Sequence, residues 1–460
     1  MYEMTMLASL NLMRDFFNTG VTQSPALRKE QLNKLSEAVY TYENDIYDAL
    51  YADLKKSKEE CWVTEIGILL NEIRYSISNL NKWMKPLKVK TNLLNFPSSS
   101  FVYKEPLGVV LIISPWNYPF QLLLKPMVGA IAAGNCVVLK SSEYAPATSQ
   151  VIKKIVEEIF DPRFVLFIEG EGATVVPEMM NSFVFDHVFF TGSTAVGKAV
   201  YPLAAKNLVP VTLELGGKSP CVIESDADIK TTAKRIVLTK FSNCGQMCVA
   251  PDYILVHSSI KDKLIAELKN TIDVFFQKDA ANQSHYGKII NEKQFDRIVS
   301  YLDNGNVLQG GQHNKAQLFI EPTIMDNVDI DSPIMNEEIF GPVLPVLSFN
   351  TKEEALKIIS KNKNPLAFYV FTSNPKKEEE WINAVHFGGG CVNNASWHLT
   401  NHNLPFGGRG NSGIGQYQGK YSFDTFSHHK AVMKTPFWFD PSIKYPPFVG
   451  KLGLLKKMIR

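Results

Sequence analysis

The chain has 460 residues, more than the roughly 100–200 of one ordinary domain, so two or three domains are expected. Hydrophobic residues make up 45% and charged residues 20%, ordinary globular usage that excludes disordered, collagenous and coiled-coil classes. With 48 Lys and Arg against 46 Asp and Glu, a formal +2, no overall field draws the chain to nucleic acid or anionic lipid, and binding has to come from a local site.

The opening stretch MYEMTMLASLNLMRDFF has Glu3 where a signal peptide needs cations, and Arg14 and Asp15 arrive before a cleavage site, so it is predicted as a helix. Leu32, Leu35, Val39, Ile46, Leu50 and Leu54 stand at helical spacing, as do Ile66, Leu69, Ile73, Ile77 and Leu80, which predicts amphipathic helices over 32–54 and 66–80. After Pro86 the run LKVKTNLLNFPSSSFVYKEP is a hairpin signature and interrupts the helices like an inserted arm. From Gly108, short β-rich runs alternate with helical ones: GVVLIIS, CVVLK, FVLFI and FDHVFF, then a second round from Val211 with VTLEL, SPCVIE and YILVH. That alternation implies parallel crossovers, hence two open, doubly wound α/β units in series with a cleft near residue 210. No apolar run reaches the ~18 residues of a membrane span. The six cysteines, Cys61, Cys136, Cys221, Cys244, Cys248 and Cys391, are sparse and irregularly spaced, which fits reduced thiols in the cytoplasm rather than a disulfide framework.

Ligands of an open α/β sheet bind beyond the carboxyl ends of its strands, which singles out SPWNYP, KSSE, FTGSTAVGK and ELGGKSP. Gly192 and Gly197 mark a strand-to-helix turn where backbone amides can approach a pyrophosphate, although a purely structural turn has the same signature. The spacing to Lys198 imitates a Walker loop, but Ala199 stands where magnesium needs Ser or Thr. Lys140 and Glu143 can bracket a ribose or simply pair with each other; a carboxylate there repels a 2′-phosphate and tilts towards NAD over NADP. Cys248 follows Gly-Gln-Met after a predicted helix and before Pro251, which puts its thiol in a loop at the cleft unless it is a buried apolar residue. Cys244 has the same ambiguity, and the pair lacks the spacing and histidines of a zinc site. Glu214 ends a strand beside Gly216 and Gly217, where a substrate or cofactor can come close, or it is a structural carboxylate. Asn117 offers an amide donor to an oxyanion or fills a turn between aromatics and prolines. His398 and His402 are separated like helical metal ligands, but the loop-like LTN between them argues against a metal.

Taken together, PWNYP, FTGSTAVG, ELGGKSP, GQMC, NEEIFGPVLPV and LPFGGRGNSGIGQYQGKYSFDTFSH, in order from about Lys104 to about Lys430, resemble the NAD(P)-dependent aldehyde dehydrogenase superfamily. The short N-terminus, VAPDY after Cys248 and KYPP at Lys444 to Pro447 look most like its class 3 and fatty-aldehyde branch. The resemblance implies Cys248 as nucleophile, Glu214 as general base, and Asn117 with the Cys248 amide as oxyanion hole. It also implies Lys140 and Glu143 at the adenosine ribose, and Ser193 with the turn of Gly192 and Gly197 at the pyrophosphate. Glu338 and Phe340 would position the nicotinamide ribose, and Tyr118 and Phe406 would line the aldehyde's approach. No metal is implied.

The implied fold has two Rossmann-like units: a cofactor domain of residues 1–86 and 106–210, and a catalytic domain of 211–400. A small β oligomerisation arm would combine 87–105 with about 417–434 and pair two copies into a homodimer, and 435–460 would form a tail. The reaction implied is oxidation of an apolar aldehyde, medium to long aliphatic or aromatic, to its acid through a cysteine thioester, with NAD or NADP. A CoA-acylating dehydrogenase and a non-catalytic nucleotide-binding protein are the alternatives. Two residues depart from the family pattern. Ser141 replaces the usual proline, which loosens its turn, and Cys244 puts a second thiol four residues from the first, able to form a reversible disulfide with it. In the tail, Val449, Leu452, Leu455 and Ile459 beside Lys451, Lys456, Lys457 and Arg460 predict an amphipathic helix that shields the substrate entrance, rests on a membrane surface or docks on the protein.

Overall fold

A computed structural model of the chain describes residues 6–458; Glu3, Ile459 and Arg460 lie outside the described residues. Two sheets carry the molecule. The first has six strands in the order Gly413–Ile414, Val211–Glu214, His187–Thr191, Val109–Ile113, Cys136–Lys140 and Val165–Ile168, all parallel except the short Gly413–Ile414 at its edge. Its central strands, VVLII, CVVLK and HVFFT, are buried at every position, as expected where helices cover both faces of a parallel sheet. The second has seven strands in the order Asn306–Gln309, Thr323–Asp326, Val343–Phe349, Tyr253–His257, Pro220–Ile223, Ala367–Phe371 and Gly389–Val392; only Asn306–Gln309 runs against its neighbour.

The division expected at residue 210 falls one strand too early. Val211–Glu214 pairs in parallel with His187–Thr191 and belongs to the first sheet, and the chain reaches the second only at Pro220. A strand's hydrophobic pattern reveals that it is a strand, not which neighbour it joins. The helix expected over 32–54 is two helices, Pro25–Thr41 and Glu43–Leu54, broken at Tyr42 (φ −97°, ψ 15°). The helix expected over 66–80 is Gly67–Trp83, entered through a wide π turn at Trp62–Ile66. At the end of that turn a Cβ on residue 67 would stand 2.8 Å from the Trp62 carbonyl, so glycine is needed there.

Leu87–Val89, Ser99–Pro106 and Ser427–Lys434 form a separate antiparallel three-stranded sheet. Its last strand brings the chain back from 406–426, across the site. Beyond it, Phe437, Trp438 and Val449 are exposed, and the terminal helix is short, Leu452–Met458, leaving Val449 outside it. Among the described residues no helix is long and apolar enough to cross a membrane.

Helix Gln121–Ala133 is buried along its whole length and stops at Gly134, whose φ of 98° is left-handed. A Cβ there would come 2.3 Å from Arg28 Nη2, and Arg28 is fixed by bonds to the Thr22 carbonyl at 2.8 Å and the Ala132 carbonyl at 3.0 Å. Gly134→Ala is expected to lower stability by at least the ~1–2 kcal/mol of a left-handed L-residue, seen as a lower unfolding midpoint by calorimetry.

Candidate active site

The strands of the first sheet end in register, Ile113 beside Lys140 and Thr191 beside Glu214, so the segments that follow them share one edge. Ser114 and Thr191 keep buried hydroxyls there with no hydrogen-bond partner among the described residues. Helix Thr194–Ala205 begins just beyond the edge, and Ser193 caps it by accepting the Val196 amide at 3.3 Å, which leaves its hydroxyl proton free to donate. Gly197 packs so closely on the strand end that a Cβ would lie 2.6 Å from Leu215 Cδ2, and one at Gly192 would lie 2.6 Å from Phe190 Cζ. Lys140 is buried and donates to the Ser141 carbonyl and to Glu143 at 3.4 Å, while exposed Glu143 accepts the Gly172 amide at 3.3 Å. Ser141 does not loosen the turn: its hydroxyl bonds Ser149 at 2.7 Å and ties the turn to helix Pro146–Ile159.

Cys248 is presented by a strained loop. Helix Ile229–Phe241 gives way to Asn243, Cys244 and Gly245 at φ 50°, 51° and 71°, costing about 1–2 kcal/mol at each non-glycine position. Side chains hold it open. Asn243 donates from Nδ2 to the Asn117 carbonyl at 2.8 Å and from its amide to Glu60 at 2.8 Å. Gln246 donates to the Asn243 and Lys288 carbonyls, each at 3.0 Å, and accepts the Ile290 amide at 3.0 Å. Gly245 has no substitute, since a Cβ would meet the Gly341 carbonyl at 2.3 Å. Cys244 is fully buried, with its thiol hydrogen-bonded to Tyr286 and beside Gly287, and all six cysteines are free.

Asn117 is buried and donates one Nδ2 proton to the Gln246 carbonyl at 3.0 Å, so its other amide proton remains for an oxyanion. Its own carbonyl accepts Lys56 Nζ at 3.0 Å. That ammonium is buried, bonds Glu65 at 2.7 Å and sits 3.9 Å above the Tyr118 ring, while Glu65 also accepts the Gln121 amide at 2.9 Å.

Glu214 is buried, and neither carboxylate oxygen has a hydrogen-bond partner among the described residues. Burial pushes its pKa well above the ordinary range, against the pull of Lys125. Burial, then Glu338 and Glu214, push the Cys248 thiol up to about 12, so the free protein holds a thiol rather than a thiolate at neutral pH. Glu338 reaches across from the second unit to the Gly217 amide, with Gly216 so close that a Cβ would overlap its carboxylate. Burial pushes Glu338 up to about 8. Phe340, at φ 49°, stands edge-on to Trp116 with ring centres 5.4 Å apart. A sulfur, an amide donor and a carboxylate without protein partners are the groups needed to attack a carbonyl, stabilise its oxyanion and activate a water.

A cleft of about 200 Å³ opens between the π-turn region and the turn Trp397–Thr400, lined by Trp62, Val63, Ile68, Asn71, Leu399, Thr400 and His402, with Lys125 reaching into it. Phe406 and Tyr118 do not line this cleft: Phe406 stacks on His398, and Tyr118 lies under Lys56. His398 meets Cys391 at 3.5 Å and His402 meets Glu72 at 2.9 Å. Lys56, Glu60, Glu65 and Asn243 escape sequence reasoning, because polar and charged side chains outside apolar runs ordinarily face water.

The model of the aldehyde dehydrogenase family matches residues 11–432. The chain is 46% identical to 4,4'-diaponeurosporen-aldehyde dehydrogenase of Staphylococcus aureus, over 97% of each protein. It is 44% identical to aldehyde dehydrogenase family 3 member H1 of Arabidopsis thaliana, over 97% of this chain and 93% of that one. With the dimeric, NADP-preferring aldehyde dehydrogenase of Canis lupus familiaris it shares 41%, over 95% and 97%. The substrate-bound structure of Staphylococcus aureus AldH superposes with a TM-score of 0.96 at 45% identity, covering 98% of this chain and 99% of that one.

Removing one member of a buried ion pair strands the other. Lys56→Met is expected to cost about 3–5 kcal/mol, measured as a lower urea midpoint, and to cut turnover in the protein that still folds, because Asn117 and the Cys248 loop lose their shared anchor.

Proposed function

This chain belongs to the aldehyde dehydrogenase family, in its class 3 branch, and is an oxidoreductase that converts aldehydes to acids; from that premise we propose which groups act and on what. Cys248 gives up its thiol proton to solvent and Sγ bonds the aldehyde carbon as the C=O π bond opens; the oxyanion so formed accepts from the remaining Asn117 Nδ2 proton and the Cys248 amide. Hydride acceptance is the chemistry that a bound nicotinamide cofactor supplies. The thioester left on Cys248 is hydrolysed by a water that gives its proton to Glu214; the acid departs and the thiol is restored. The observation that carries this reading is the buried Glu214 carboxylate, without a hydrogen-bond partner among the described residues and close enough to the Cys248 sulfur to act on its charge.

The edge of the first sheet fits a dinucleotide, because it combines unpartnered buried hydroxyls with a capped helix N-terminus. Lys140 and Glu143 would hold the adenosine ribose, Ser193 with Gly192 and Gly197 the pyrophosphate, and Glu338 with Phe340 the nicotinamide ribose. The Glu143 carboxylate favours NAD over NADP, although the canine relative is NADP-preferring. The mainly apolar wall of Trp62, Val63, Ile68 and Leu399 suits an apolar aldehyde of medium or long chain, or an aromatic one. The free thiols fit a reducing cytoplasm. The arm sheet supports a homodimer, and the exposed aromatics of 437–448 beside Lys444, Lys451, Lys456 and Lys457 support contact of the tail with a membrane surface.

Glu214 also weighs against the CoA-acylating alternative, which needs no hydrolytic base; NADH formed only when CoA is added would reverse that. Cys248→Ala is expected to abolish NADH formation. Glu214→Gln should give one burst of NADH per site and then accumulate acyl-enzyme, visible by mass spectrometry; steady turnover near wild type would remove Glu214 from the mechanism. Because thiolate is the reactive form and the thiol stands at about 12, alkylation of Cys248 by iodoacetamide in the cofactor-free protein should rise roughly tenfold per pH unit throughout the neutral and mildly alkaline range.

A further inference from the structure

One buried ion pair fastens three segments that the reaction needs together. Lys218 stands four residues after Glu214, and Asp252 four residues after Cys248. They are 4% and 3% exposed, and Lys218 Nζ donates to Asp252 Oδ2 at 2.5 Å. The same ammonium donates to the Ile334 carbonyl at 2.6 Å and to the Glu337 carbonyl at 2.9 Å, so each of its three protons has an acceptor. Asp252 Oδ1 accepts the Ile339 amide at 3.0 Å, and the Asp252 amide donates to the Ser219 carbonyl at 2.8 Å. The third segment is therefore held at 334, 337 and 339, on both sides of Glu338. It needs such holding: residues 337–342 lie between helix Pro333–Asn336 and strand Val343–Phe349, outside any helix or sheet ladder. Arg297 completes the frame, donating to the Glu338 carbonyl at 3.1 Å and to the Ile339 carbonyl at 2.8 Å.

Stability does not explain a buried ion pair, since apolar residues of similar volume often stabilise a fold as well or better. What an apolar pair cannot do is donate to two carbonyls and accept an amide, and those bonds set where the Glu338 side chain starts. From there its carboxylate bonds the Gly217 amide and lies so close to Gly216 that a Cβ would overlap it. We propose that Lys218 and Asp252 are positioning residues for the nicotinamide end of the cofactor site, fixing the 334–339 backbone so that the Glu338 carboxylate stays docked on the backbone of Gly216 and Gly217. The inference rests on Glu338 as the residue that holds the nicotinamide ribose. All three ammonium protons and both carboxylate oxygens are engaged within the protein, so the pair acts through Glu338 and not on the cofactor itself.

Lys218→Met alone strands a buried carboxylate, so it is made also together with Asp252→Asn, which leaves no unbalanced charge and keeps Oδ1 for the Ile339 amide. In the folded variants NADH, followed by its own fluorescence, should bind at least about tenfold more weakly, the scale of loss when a positioned group shifts. Calorimetry with 5′-ADP, which lacks the nicotinamide ribose, should give the wild-type affinity. Glu338→Ala should weaken NADH as well, and combining it with the paired change should add little, because both act through one carboxylate. Wild-type affinity for NADH in the folded paired variant, with Glu338→Ala weakened, overturns the role of the pair alone. Equal losses for NADH and 5′-ADP mark the pair as merely structural and overturn the proposal, as do losses that multiply on combination with Glu338→Ala. Unchanged NADH binding by Glu338→Ala overturns the ribose role of Glu338, and the role of the pair with it.

Discussion

The ammonium of Lys56 touches two segments of the chain and through one of them reaches a third. It donates to Glu65 in the π turn and to the Asn117 carbonyl, which also accepts Asn243 Nδ2, and it lies against Tyr118. Through Asn243 the same carbonyl also fixes the loop that carries Cys248. The oxyanion donor and the nucleophile, which come from different sheets, are therefore referenced to one atom. Such an arrangement buries charge and would be unfavourable with any member missing; complete, it offsets the left-handed strain of residues 243–245.

Loss of water is the common cause of the site's unusual chemistry. Burial is the largest influence on Glu214, Glu338 and Cys248 alike, and in each case it favours the neutral form. A site so dry strengthens every donor aimed at a developing charge. It also makes each remaining ion count.

Much of this was legible in the sequence, for physical reasons. Strands buried on both faces leave continuous apolar runs, so the α/β alternation of 108–276 could be read directly. Cys248, Glu214 and Asn117 stood out because glycine and proline punctuate the loops that carry them. Pairing between strands leaves no such mark, and Val211–Glu214 was assigned to the wrong sheet for that reason. Lys56 and Glu65 looked like ordinary water-facing charges between the two expected helices. Lys125 did carry a signal, a single cation inside an otherwise apolar segment, but only the fold supplies the carboxylates around it.

The strand Val211–Glu214 lies in one sheet, while Cys248 hangs from the other. Base and sulfur thus belong to different sheets, and the short span Leu215–Ser219 between them is closely packed, since a Cβ on Gly216 would overlap the Glu338 carboxylate. Asn117, which follows a strand of the same sheet as Glu214, is nevertheless bonded to Gln246 and Asn243 of the loop that carries the sulfur, so the two sheets are tied together at the site itself. The gap that a water must bridge between base and sulfur is therefore defined by how the two sheets meet.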